Sequence, residues 1–160
     1  APEPPEGAEG AAWPAIGSRS ELAIAFKELV RRFPATKEWA VQKMLPAGAQ
    51  ASIRGDRDPV FGPYIKVGLG GVYTDALSDL ACALCPVHTQ DAYELIETLR
   101  AARVFQSFGG SSVDIAALVE IIVGMSRFML NPEIAEAEVN PVVLTERGAF
   151  IVDAHVRLKR

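Results

Sequence analysis

Residues 136–156 read EAEVNPVVLTERGAFIVDAHV, and the fold class turns on how this stretch is read. Two strand-like runs, Ala137 to Leu144 and Ala149 to Val156, flank the polar turn Thr145-Glu146-Arg147-Gly148. That pattern predicts a β-hairpin. Side chains alternate across a strand, so Glu136, Glu138 and Asn140 share one face, and Asp153 falls on the neighbouring strand roughly opposite 138–140. Three or four hard oxygen donors converging on one patch suit Mg²⁺ bridging a nucleotide's phosphates. A solvated outer strand face explains the same residues, and spacing alone does not separate the two readings. Like charges so close repel, so the arrangement costs stability without a cation or a basic partner.

Outward from the hairpin, the chain alternates helical and strand-like stretches. Ser18-Arg19-Ser20-Glu21 fits a capping box, followed by Leu22, Ala25, Phe26, Leu29, Val30 and Phe33 at helical spacing up to Pro34. Helices are likewise expected over 89–102, with Thr89 as N-cap, and over 112–130, opened by a Ser111/Asp114 capping box. Strands are expected over 39–45, 49–54, 61–67 and 80–87, with a polar turn at Gly55–Pro59 and an apolar segment at 72–77. Gly62-Pro63 suits an edge or a bulge. Mixed strands with segregated helices indicate an α+β domain whose largely antiparallel sheet packs against the helices. Its core is expected to include Phe26, Leu29, Leu95, Leu99, Leu118, Ile122, Val143 and Val152. Residues 1–17, rich in Pro, Gly and Glu, read as a tail or linker, leaving 18–160 as one lobe.

The 160 residues carry 16 basic and 20 acidic side chains, a balance that gives no general pull toward nucleic acid or an anionic membrane. No apolar run approaches the ~20 residues of a membrane span. The chain begins without Met, as an excised piece of a longer protein would. Two cysteines, Cys82 and Cys85, cannot build a disulfide framework, so a cytoplasmic location is expected. With His88 they offer three zinc ligands but no second pair, and the apolar run around them reads as an interior strand, so both are expected reduced and buried. The block Gly68-Leu69-Gly70-Gly71 is neither a Walker A loop nor a dinucleotide fingerprint. It offers a backbone free to take positive φ and to approach a ligand closely, or else a plain tight turn.

Taken together, VQKMLPAG (41–48), RDPVFGPYIKVGLGGVYTDALSD (57–79), GSSVDIAALVEII (110–122) and EIAEAEVNPVVLTERGAFIVDA (133–154) resemble the ATP-grasp domain of NDP-forming acyl-CoA synthetases, relatives of the succinyl-CoA synthetase β subunit. The resemblance runs over about 18–158 and implies the carboxy-terminal lobe of an ATP-grasp fold. It implies ATP or ADP with Mg²⁺ as ligands, coenzyme A being held by domains outside this chain. By the same resemblance, Asn140 and Asp153 are metal ligands with Glu138 at the acidic position before the Asn. Gln42, Lys43 and Met44 lie near the base through backbone groups, and Gly68, Gly70 and Gly71 form the glycine block. Catalytic residues are not assigned. Departures from the family pattern are Lys43 and Gln50 in place of glutamates and the shorter Asp75 after the glycine block. The family's first lobe, with its phosphate-gripping lysine, is expected to precede this stretch. Two functions follow: part of an acid–CoA ligase (ADP-forming) that is inactive alone and works with CoA-binding and ligase domains or a subunit, or a degenerate regulatory domain, for instance one fused to an acetyltransferase. Neither involves nucleic acid or a membrane.

Overall fold

The computed structural model describes residues 16–71 and 79–159. Most of the expected tail and the apolar segment at 72–77 with Asp75 lie outside them. The chain divides between Leu45 and Pro46.

In the first unit, helix α1 runs over Arg19–Arg32. The Ser18 hydroxyl accepts from the Glu21 N–H at 3.2 Å, as a cap should, but the Glu21 carboxylate takes the N–H of Gly17 at 2.7 Å instead of that of Ser18. The strand expected over 39–45 does not form. Trp39 instead packs against Phe26 and Phe33, with ring centroids 6.4 Å away in each case. Ala25 is the one buried residue of α1, while Phe26 is 48% exposed and Leu29 half-buried, so Phe26 is not the core residue its spacing suggested. Glu28 is hydrogen-bonded by Arg31 and Arg32, which lower its pKa to about 2. Stability from this pair is present above the ordinary glutamate range and is lost as pH falls through about 2. An NMR titration of Glu28 should find that low midpoint, and Arg31→Ala should raise it.

The second unit is built on one antiparallel sheet. Its strands are β1 (Ala49–Asp58), β2 (Gly62–Leu69), β3 (Leu80–Leu84), β6 (Ile134–Thr145), β7 (Gly148–Ile151) and β8 (Ala154–Leu158). The order is β3-β2-β1-β6-β7, with β8 also on β6. Between β3 and β6 lie α2 (Thr89–Thr98), α3 (Ala102–Gln106), a small ribbon of β4 (Ser107–Phe108) and β5 (Ser111–Ser112), and α4 (Ile115–Phe128). Ala49, Ala51 and Ile53 of β1, Ile65 and Val67 of β2, and Val139, Val142 and Leu144 of β6 are buried in one cluster with Ala92, Leu95 and Ile96 of α2 and Leu118, Val119 and Ile122 of α4. Leu95, Leu99, Leu118, Ile122 and Val143 are buried as expected, but Val152 is 42% exposed, because it sits at the joint between two edge strands.

Local hydrogen bonds explain where elements begin and end. The expected turn at 55–59 falls later. Gly55 stays in β1, paired with Ile65 and Ala137 and leaving room for the Met129 side chain where a Cβ would go, and Arg57 donates to the carbonyls of Met129, Asn131 and Ile134 beyond α4. The Asp58 carboxylate then takes the N–H groups of Val60 and Phe61 at 2.9 Å or less, which lowers its pKa and makes the turn. Gly62-Pro63 opens a central strand, where the missing N–H of proline is tolerated at the first positions. Helix α2 stops at Thr98 because the Asp79 carboxylate captures the N–H groups of Arg100 and Ala101. Its N-cap is His88, whose N–H donates to Asp91, not Thr89. Asp114 caps α4 by accepting from Ala117 N–H at 3.0 Å, and Ser111 is in the ribbon instead. β3 is an edge strand, not an interior one, and the register sets Cys82 opposite Lys66 on the open side of the sheet, so Cys82 is exposed and Cys85, just past the strand, half-buried, against expectation. Gly124, in the middle of α4, has open space where a Cβ would go. Gly124→Ala should therefore raise stability by about 0.8 kcal/mol in urea denaturation.

Candidate functional site

Opposite the helix-packed side, β1 presents Gln50, Arg54 and Asp56, with Ser52 buried between them, alternating with its buried Ala49, Ala51, Ile53 and Gly55. On that side the charges of four strands form a ladder. Lys66 of β2 contacts Asp56 at 3.3 Å, Asp56 contacts Arg54 at 3.1 Å, Arg54 pairs with Glu136 of β6, and Glu136 pairs with Arg157 of β8 at 2.7 Å. Burial works against the Lys66 charge, but hydrogen bonds to Tyr64 and Asp56 outweigh it and raise its pKa. Burial likewise opposes the Arg54 charge, and the carboxylates of Asp56, Glu136 and Glu138 reverse the balance. The family motifs do not point to this ladder. The period-two placement of Arg54 and Asp56 with Glu136 is its only trace in the sequence.

The hairpin is built around a β-bulge. Ala51 of β1 faces Val142 and Ile53 faces Val139, so the single residue Ser52 of β1 faces two of β6, Asn140 and Pro141. A bulge re-aims a side chain. Here the Asn140 carboxamide oxygen accepts from the N–H of Gly71 at 3.0 Å, and its Nδ2 lies 3.4 Å from Glu138 Oε1. The Asn140 N–H donates to the Asp153 carbonyl at 3.2 Å, and the Val152 N–H to the Pro141 carbonyl at 3.0 Å. The Asp153 carboxylate is exposed and accepts from the N–H of Ala154 at 2.8 Å.

The glycine block reaches the hairpin from β2. The Gly70 N–H donates to the Gln50 carbonyl at 2.8 Å, one step past the end of β2. Gly71 has φ +64°, and a Cβ on it would collide with the Gln50 carboxamide. The positive φ is what favours glycine at Gly71, since the exposed Gln50 side chain can swing aside. The structure therefore brings Gly71, Asn140, Glu138 and the Asp153 backbone together, with Gly70 one residue off. Gly68 lies further along β2, against Asp79 and Leu80. Gln42, Lys43 and Met44 belong to the other unit and are exposed, in a stretch without regular structure.

Two carboxylates two residues apart on β6 differ sharply in state. Glu136 is held between Arg54 and Arg157, whereas Glu138 makes no direct ion pair among the described residues. Glu138, Asn140 and Asp153 are all hard oxygen donors, the set that suits Mg²⁺. Beside them Glu136, Glu138, His155, Val156 and Arg157 line a depression of about 230 Å³. No helix among the described residues is long and apolar enough to cross a membrane.

The ATP-grasp domain model matches residues 13–158. The acetate–CoA ligase [ADP-forming] I subunit beta of Pyrococcus furiosus is 36% identical over 151 residues, covering 89% of this chain and 65% of the relative. The acetate–CoA ligase [ADP-forming] I of Archaeoglobus fulgidus is 35% identical over 115 residues, covering 71% of this chain and 17% of the relative. The chain thus spans under two thirds of either relative's length. Among solved structures, an acetyl-coenzyme A synthetase 1 of Ca. Korarchaeum cryptofilum in complex with coenzyme A and Mg-AMPPCP superposes with a TM-score of 0.81 at 32% identity, covering 92% of this chain and 67% of that one. With that superposition over most of this chain and the family match running almost from end to end, the chain belongs to the ATP-grasp domain family.

Proposed function

We propose that this chain is the nucleotide- and Mg²⁺-binding part of an ADP-forming acyl-CoA synthetase, which converts an acid, coenzyme A and ATP into acyl-CoA, ADP and phosphate. CoA-binding and ligase domains, in the same polypeptide or a partner subunit, complete the enzyme, and the isolated chain does not run the whole reaction. The cytoplasm, which supplies ATP and coenzyme A, is the compartment this function implies. The observation that supports the reading most is the 3.0 Å hydrogen bond from Gly71 N–H to Asn140 Oδ1, which ties the glycine block to the acidic hairpin.

In this reading Gly68, Gly70 and Gly71 let the main chain approach the phosphates. Asn140, Asp153 and Glu138 hold Mg²⁺, which when bound offsets phosphate charge. The chain's own contribution is positional. The bulge aims Asn140, the Gly71 N–H holds its carboxamide, and the arginine clamp on Glu136 leaves Glu138 as the carboxylate without an ion pair. Two carboxylates without a direct ion pair among the described residues, Glu138 and Asp153, repel phosphates unless a cation lies between. Mg²⁺ and nucleotide should therefore each bind weakly alone and help each other.

Mn²⁺ used in place of Mg²⁺ tests the placement. With ADP present it should broaden the amide NMR signals of Gly71, Asn140 and Ala154 before those of the helix-packed core. Broadening centred elsewhere would remove this site from the proposal.

A further inference from the structure

We propose that Arg157 is a positioning residue: its ion pair with Glu136 fastens β8 to the sheet and thereby keeps Asp153 beside Asn140. This rests on the metal reading of the hairpin given above. Every residue of β8, Ala154 to Leu158, is exposed, the apolar Val156 and Leu158 included. The strand pairs with β6 alone, so main-chain hydrogen bonds hold it with no burial to support them. Across that pairing one side chain reaches back: Arg157 Nε and Nη2 both donate to Glu136 Oε2, at 3.1 and 2.7 Å. Glu136 uses its other oxygen for Arg54 on the central strand β1, so the fastening runs from the loose edge to the buried middle of the sheet.

Asp153 stands at the joint between β7 and β8. On the β7 side it is anchored, because Ala149 packs on the core and the Thr145 hydroxyl donates to the Gly148 carbonyl. On the β8 side, among the described residues, the Arg157–Glu136 pair is the side-chain tie to a neighbouring strand. If it is cut, the backbone after Asp153 frays up to the bond from the Asn140 N–H to the Asp153 carbonyl, and the exposed carboxylate, on the frayed side, is no longer held in one orientation.

Electrostatics and positioning predict opposite signs, which makes the role testable. Removing a positive charge near an acidic cation site favours the cation, so a purely electrostatic Arg157 would lower the Mg²⁺ requirement when replaced. A positioning Arg157 would raise it. The 160-residue chain is titrated with a non-hydrolysable ATP analogue over a series of Mg²⁺ concentrations, alongside Arg157→Gln and Arg157→Lys. In Arg157→Gln the Mg²⁺ concentration giving half the affinity gain should rise about fivefold, the size of one surface ion pair. Affinity without Mg²⁺ should stay unchanged, and amides 154–158 should exchange faster with solvent. Arg157→Lys should recover most of the loss. An unchanged or lowered Mg²⁺ requirement in Arg157→Gln overturns the positioning role, as does an equal loss of affinity with and without Mg²⁺, which would mean direct contact with the nucleotide. A parent chain whose affinity ignores Mg²⁺ overturns the metal reading itself, and this inference with it, before any variant is compared.

Discussion

Replacing Gly70 by Ala is expected to destabilise the second unit by about 3 kcal/mol, the upper range for forcing a group into a filled site. Gly70 is buried, and a Cβ on it would lie 2.6 Å from the Ala51 carbonyl carbon and 3.0 Å from the Ala51 nitrogen. Those atoms belong to the central strand and cannot swing aside as a side-chain tip would. The end of β2 would have to lift, breaking the Gly70 N–H bond to the Gln50 carbonyl and carrying Gly71 away from Asn140. Urea denaturation measures the first effect, and the Asn140 side-chain amide signals report the second. A Gly70→Ala protein as stable as the parent would show that the close approach of β2 to β1 is not as described.

The second large effect falls on binding and leaves folding almost untouched. Asp153→Asn should remove the gain in nucleotide affinity that Mg²⁺ confers, a coupling of about 1–3 kcal/mol or roughly five- to 150-fold. The side chain is exposed, and its one hydrogen bond, accepting from the Ala154 N–H at 2.8 Å, can be kept by the Asn carboxamide oxygen. Loss of one carboxylate also relieves repulsion with Glu138. The melting temperature should therefore stay level or rise slightly, measured by calorimetry beside the binding titration. A variant that unfolds would make Asp153 structural instead.

Much of this was visible in the residues and some was not, for identifiable physical reasons. The hairpin and the helix at 115–128 follow from periodicity, since alternation and 3.6-residue spacing are local properties. Glu136 and Glu138 look equivalent in sequence. What separates them is Arg54 and Arg157, brought from other strands by the pairing register. Cys82 reads as interior because its run is apolar, but the pairing register with β2 sets it opposite Lys66 on the open face, while its neighbour Ala81 faces the core. The length of β1 and the end of α2 depend on distant groups too: the carbonyls beyond α4 hold Arg57 in the strand, and Asp79 closes the helix. Trp39 satisfies its apolar ring against Phe26 and Phe33, so the run around it needed no strand. The bulge at Asn140-Pro141 depends on β1 as much as on β6, and without it Asn140 would not meet Gly71.

The central claim is that this chain binds nucleotide and Mg²⁺ cooperatively at the glycine block and acidic hairpin. Calorimetric titration of the unmodified 160-residue chain with ADP, once in excess Mg²⁺ and once in EDTA, tests it most directly. Binding should be weak in EDTA and at least fivefold tighter with Mg²⁺. Equal affinity in the two titrations, or no binding in either, would contradict it.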